Sequence, residues 1–183
     1  MTASSPVQAK YSVTRKHRDT LIFISSQVAS EDDMSPSEQH IKIRDTYLRV
    51  WGGEFDLADQ IFDPSVKLNI DRHPSENGTA PVDADNLEKL LGFMKVCRHG
   101  WQKFGFNVRH CVAEGPYIAL RWRAECVLGD DYPAPTALKS GDKVEWNGTD
   151  FLVLNGENKI VEVNIAQDML ELFKIMGATS VSI

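Results

Sequence analysis

The chain has 183 residues, 42% of them hydrophobic and 25% charged. This is enough for one domain with a full core, and the composition excludes a largely disordered chain. Twenty Lys and Arg against 26 Asp and Glu leave a net charge of -6, which argues against a general nucleic-acid binder. No apolar run reaches the ~18 residues of a membrane span. The early stretch Leu21–Ile24 is too short for the core of a secretory leader, so none is expected. Three widely spaced cysteines (Cys97, Cys111, Cys126) supply neither a disulfide framework nor a zinc spacing, and the expected setting is the reducing cytoplasm.

Residues 1–34 read as an arm, loosely packed or flexible, and the domain is expected over 35–178 with a short tail at 179–183. Ser35-Pro36-Ser37-Glu38 is a capping-box pattern with Ser35 as N-cap. Ile41, Tyr47, Leu48 and Trp51 follow at helical spacing, and Gly52-Gly53 ends the helix. A short helix over 57–62 stops at Asp63-Pro64, and residues 66–70 alternate as a first strand. The stretch 71–82 reads as loop. A third helix, capped by Asp83 or Asp85, runs to about His99 with Leu87, Leu90, Leu91, Met94 and Val96 on its apolar face.

After Gly100 the period changes from helical to alternating. Residues 104–113, 117–128, 143–154 and 159–166 read as four strands, and 168–176 as a last helix ending at Gly177. Helices followed by a meander of long strands predict an α+β fold. A curved, mostly antiparallel sheet would be wrapped on one face by three to four helices, forming a cone with an apolar pocket. Ile118, Leu120, Trp122, Ala124 and Cys126 share the buried side of their strand, and Arg121, Arg123 and Glu125 the wet side.

Certain motifs carry a family resemblance. Asn158-Lys159-Ile160-Val161-Glu162, then Asp168 four residues after Asn164, then Gly177, is similar to the ending of the SnoaL-like polyketide cyclase family. The run from Val108-Arg109-His110 through Glu114-Gly115-Pro116 to Ala124 resembles that family's central hairpin. Tyr47, Trp51 and the segment 56–66 match its opening. The resemblance covers about residues 36–178 and implies the nuclear-transport-factor-2-like (cystatin-like α+β) fold. It also implies a cofactor-free isomerase, cyclase or lyase of secondary metabolism, and a homodimer through the sheet. It makes Asp168 the match to the cyclases' acid/base aspartate. The sequence departs from the pattern at Asn158, where Gly is usual, and at Asn164, where an aromatic is usual. The strand 143–154 also lacks a histidine.

The residues themselves leave alternatives open. Asp168-Met169-Leu170-Glu171 is also a capping box, so Asp168 either moves a proton or starts the last helix. Asp150 shares strand parity with Trp146, Leu152 and Leu154. It either enters the cavity as a second carboxylate or is turned to solvent by a bulge at Asn147-Gly148. His110 alternates with Val108 and Val112 and is either a general base or an ordinary hydrogen-bonded or surface histidine of its strand. Tyr47, Trp51, Met94, Trp122 and Trp146 are expected to line the cavity and stack on a flat polyketide- or terpenoid-like ligand, and Asn164 either hydrogen-bonds its carbonyl or satisfies a backbone group. No metal-ligand spacing is present, and the expected chemistry needs no cofactor. The alternative is a non-catalytic ligand-binding or dimerisation module of the same fold, its cone filled by its own side chains. A cavity of ~300 Å³ or more favours a ligand site.

Overall fold

The computed structural model describes residues 36–70, 73–75, 78–80 and 82–178. The expected arm, Ser35 and the tail at 179–183 lie outside the described residues. Helix α1 (Glu38–Trp51) is capped by Ser37 rather than Ser35. The Ser37 hydroxyl accepts from the His40 backbone N–H at 3.2 Å, and the His40 ring reaches back to the Ser37 backbone, so His40 closes the box assigned to Glu38. Ile43, Tyr47, Val50 and Trp51 form the buried face of α1, while Ile41 is exposed.

A 3₁₀ turn (Phe55–Leu57) and the single turn α2 (Ala58–Ile61) lead into strand β1 (Phe62–Ile70), which starts earlier than its alternation suggests. Part of the expected loop forms a hairpin of two short strands, β2 (His73–Ser75) and β3 (Gly78–Ala80). Helix α3 (Leu87–Arg98) is capped by Asn86, whose side chain accepts from the Lys89 N–H at 3.0 Å. Asp83 and Asp85 flank the Lys89 ammonium instead, at 3.1 and 3.0 Å.

Four long strands complete the fold: β4 (Trp101–Glu114), β5 (Tyr117–Leu128), β6 (Lys143–Leu154) and β7 (Ile160–Gln167). Helix α4 (Met169–Ile175) ends it. The five-stranded sheet is unclosed, with order β1-β7-β6-β5-β4. β1 runs parallel to β7, and the other pairs are antiparallel. Helices α1, α3 and α4 pack on the sheet. Strand alternation then divides it: Ile118, Leu120, Trp122, Ala124 and Cys126 are buried, while Arg121 is exposed and Arg123 donates to Glu145 at 2.9 Å across the outer face.

The long loop between β5 and β6 is tied down at its start and its middle. The Gly129 N–H donates to Gly100 O, and the Ala137 N–H and the Thr136 hydroxyl donate to Met176 O at the end of α4. Gly100 has φ +80°, and a Cβ there would sit 2.4 Å from Tyr132 Cα. Only glycine permits this backbone approach, which brings Tyr132 against Trp101 with ring centroids 5.1 Å apart.

Candidate active site

Four elements bring one polar cluster together inside the apolar layer. Strand β6 pairs with β5 from Tyr117↔Val153 to Val127↔Lys143 without a register shift. The expected bulge at Asn147-Gly148 is absent from this pairing, so strand parity carries through and Asp150 points inward. Gly148 serves a different purpose. It lies opposite Trp122, and a Cβ at Gly148 would fall 2.1 Å from the Trp122 ring. The indole occupies the space a side chain would take, next to Asp150.

Asp150 is 3% exposed and is the one buried charged residue among the described residues. Its Oδ2 accepts a hydrogen bond from the Tyr47 hydroxyl at 2.8 Å. Tyr47 and Trp51 are a helical i, i+4 pair on the inner face of α1. Burial pushes the Asp150 carboxyl up to about 7, against the smaller opposing pull of the Trp122 and Tyr47 donors. The Tyr47 phenol is raised well above its ordinary value, first by burial and then by the negative charge on Asp150.

Three buried side-chain polar atoms among the described residues complete no hydrogen bond: Asp150 Oδ1, Trp122 Nε1 and Trp51 Nε1. The Trp122 and Trp51 N–H groups nonetheless lie close enough to lower the pKa of Asp150 and Tyr47 respectively. Both indoles are near these oxygens but outside hydrogen-bond geometry, so they remain available donors. Asp150 Oδ1 and the two indole N–H groups are thus buried beside the cavity with no hydrogen bond completed, the Trp122 N–H near Asp150 and the Trp51 N–H near Tyr47.

That space is a cavity of about 310 Å³ with Asp150 among its lining residues. Its walls are aromatic and aliphatic, including Trp51, Phe104, Trp122, Trp146 and Ile165. The Trp122 and Trp146 rings meet edge to face, as do Phe106 and Trp122 at 5.1 Å between centroids. The rim includes Val96 and His99 at the end of α3, both exposed, and Phe173 of α4. Val96, expected on the apolar face of α3, is 72% exposed, because it follows Met94 by two residues and falls on the side of the helix away from Leu87, Leu90 and Leu91.

The other expected residues fall elsewhere. Asp168 is exposed and is the N-cap of α4, its carboxylate accepting from the Glu171 N–H at 2.9 Å, and it is absent from the cavity lining. His110 is exposed on β4 beside a register shift at Val108/His110. Asn164 points to the outer face, where its carbonyl accepts from Asn69 at 3.0 Å and its amide donates to Phe151 O at 3.3 Å. Met94 is fully buried but does not line the cavity. Tyr47 lies behind the lining, in contact with it through Asp150.

The cavity also contains residues that the sequence reading passed over. Gln167 lines it and accepts from the Trp146 indole N–H at 3.1 Å. Its parity with Ile165 was the available signal. Met169, Leu172 and Phe173 of α4 line the cavity at helical spacing, whereas Tyr132 reaches it from the loop before β6 and leaves no periodic trace. No group of three metal-ligating side chains occurs among the described residues, and no described helix is long and apolar enough to cross a membrane.

A family model for a SnoaL-like domain matches residues 43–163. Among solved structures, IdmH from Streptomyces antibioticus aligns at 13% identity over 78% of this chain and all of its own, with a TM-score of 0.64. A SnoaL-like polyketide cyclase from Agrobacterium tumefaciens aligns at 16% identity over 75% of this chain and 97% of its own, with a TM-score of 0.55. TsrD from Streptomyces laurentii aligns at 12% identity over 76% and 96%, with a TM-score of 0.59. These likenesses establish a common fold. No curated protein matches the chain.

Proposed function

From the premise that the chain belongs to the SnoaL-like domain family, we propose that it is a cofactor-free isomerase, cyclase or lyase with Asp150, not Asp168, as its general acid/base. The supporting observation is a buried carboxyl group at an apolar cavity, one oxygen held by Tyr47 and the other unpaired. A carboxyl group with a pKa of about 7 populates both protonation states near neutrality, so it can take a proton and return it.

In the proposed reaction, Asp150 Oδ1 takes the proton from a carbon next to a ligand carbonyl. The electron pair of that C–H bond becomes a new C=C bond, the C=O π pair moves onto the oxygen, and the Trp122 N–H stabilises the resulting enolate. Return of the proton to a different atom completes an isomerisation. Attack of the enolate carbon on a second carbonyl forms the C–C bond of a cyclisation, breaks the π bond of that carbonyl, and gives an alkoxide that takes the proton back from Asp150. Tyr47 fixes the carboxyl orientation by holding Oδ2. The ligand class is a flat, apolar, oxygenated polyketide- or terpenoid-like molecule, matching aromatic walls broken by few polar groups.

A homodimer through the outer sheet face fits a second observation. Tyr117 and Phe151 stack there at 5.6 Å between centroids while 48% and 40% exposed. Phe151→Arg is expected to shift the sedimentation of a dimer to that of a monomer, and an unchanged mass distribution contradicts this interface.

The catalytic reading is tested by following deuterium uptake from D₂O at the α-carbon of a panel of flat apolar ketones. The wild type is expected to accelerate exchange, and Asp150→Asn to lose roughly 10²–10⁴-fold of it. Full exchange in Asp150→Asn overturns the role of Asp150. Tight ketone binding without exchange supports the non-catalytic binding module instead.

A further inference from the structure

Gln167 offers a second polar end to the cavity. The Trp146 indole is a donor only, so its 3.1 Å bond to Gln167 Oε1 fixes which end of the amide is the oxygen. The amide NH₂ is left as the free end, and among the described residues no protein acceptor takes it. In the β6–β7 register, Gln167 lies opposite Gly148 and Ile165 opposite Asp150. Gln167 and Asp150 are therefore diagonal neighbours on one face, rooted about 7–8 Å apart. Apolar side chains, Ile165 and Trp122 among them, line the cavity with these two.

We infer that Gln167 is a positioning and specificity residue whose amide N–H donates to a carbonyl oxygen at the end of the ligand remote from Asp150. The inference rests on the cavity being the ligand site, and it narrows the ligand class. The favoured molecule is a flat ring system with oxygen functions at two opposite ends. One end meets Asp150 and the other is an acceptor without a proton to give.

The test uses two probes of the same outline. One is a methoxycoumarin with its ether on the ring end remote from the lactone carbonyl, and the other is the corresponding methoxynaphthalene without the carbonyl. All four tryptophans of the chain line the cavity, so quenching of intrinsic fluorescence reports binding directly. The wild type is expected to bind the coumarin about tenfold more tightly, the contribution of one neutral hydrogen bond. Gln167→Glu keeps an oxygen for Trp146 and replaces the donor with a second acceptor. It is expected to bring the coumarin down to the naphthalene's affinity and leave the naphthalene unchanged. Equal weakening of both probes, or an unchanged preference, overturns the inference. If wild-type exchange depends on Asp150 while no coumarin preference exists, the proposed function stands and the Gln167 inference alone fails. If neither probe quenches the wild type, both fail.

Discussion

Replacing Asp150 with Asn has a calculable effect on stability. The native carboxyl titrates at about 7 and the reference carboxyl at 3.8. Between these values the native state holds a proton that the unfolded state has released. Because the folded pKa is raised, the favourable contribution of this group is complete below about pH 4 and is lost as pH rises through about 7. Three pKa units correspond to about 4 kcal/mol, which is the cost of the buried charge at pH 8 relative to pH 4. Asparagine keeps the shape and a carbonyl for Tyr47 and carries no charge. Exposed carboxylates such as Asp63, held low chiefly by the Ser65 hydroxyl, give a slope of opposite sign at lower pH. That slope is common to both proteins and cancels in the difference. Urea unfolding of both at pH 4.5, 6, 7 and 8.5 is the assay. Relative to the wild type, Asp150→Asn is expected to gain about 2–4 kcal/mol of stability between pH 4.5 and about 7 and to gain nothing further from there to pH 8.5. Parallel profiles would refute the buried-charge reasoning.

Tyr47→Phe removes a donor that favours the ionised carboxylate, so the Asp150 pKa should rise above 7. The loss in stability should approach about 1.5–3 kcal/mol above that pKa and shrink at pH 5, as equilibrium unfolding at the two pH values will read. Gly148→Ala places a Cβ in the Trp122 ring, and is expected to cost about 1–3 kcal/mol and to change the tryptophan emission spectrum. An unchanged spectrum would contradict the close contact. Asp168→Ala removes only the cap of α4: about 1 kcal/mol of stability should be lost while exchange activity persists. Loss of that activity by a hundredfold with an intact fold would return the acid/base role to Asp168.

The parts legible in the sequence are those with strict alternation. The 117–128 and 143–154 strands coincide with β5 and β6, because each presents one apolar and one polar face over many residues. Asp150 was on the inward parity for the same reason. Asn147-Gly148 leaves two outcomes open, because this dipeptide marks a bulge as readily as it makes room for a facing indole. Only the neighbouring strand reveals that Trp122 fills the place of the missing side chain. Asp168 shows the converse ambiguity. A helix-capping aspartate and an acid/base aspartate look identical in sequence, and burial separates them. Tyr47 and Asp150 are 103 positions apart, and no local pattern pairs them. Val96, read with the apolar face of α3, follows Met94 by two residues and so falls on the side of the helix away from Leu87, Leu90 and Leu91, where it is exposed: its hydrophobicity assigns it to that face, and helical spacing does not.

The most direct test of the central claim is the titration of the Asp150 carboxyl carbon by ¹³C NMR in the free protein, assigned by its absence in Asp150→Asn. A midpoint near 7 is expected, moving upward in Tyr47→Phe. A midpoint at the ordinary carboxylate value, unmoved by Tyr47→Phe, would place Asp150 in water and remove it as the proton-transfer group.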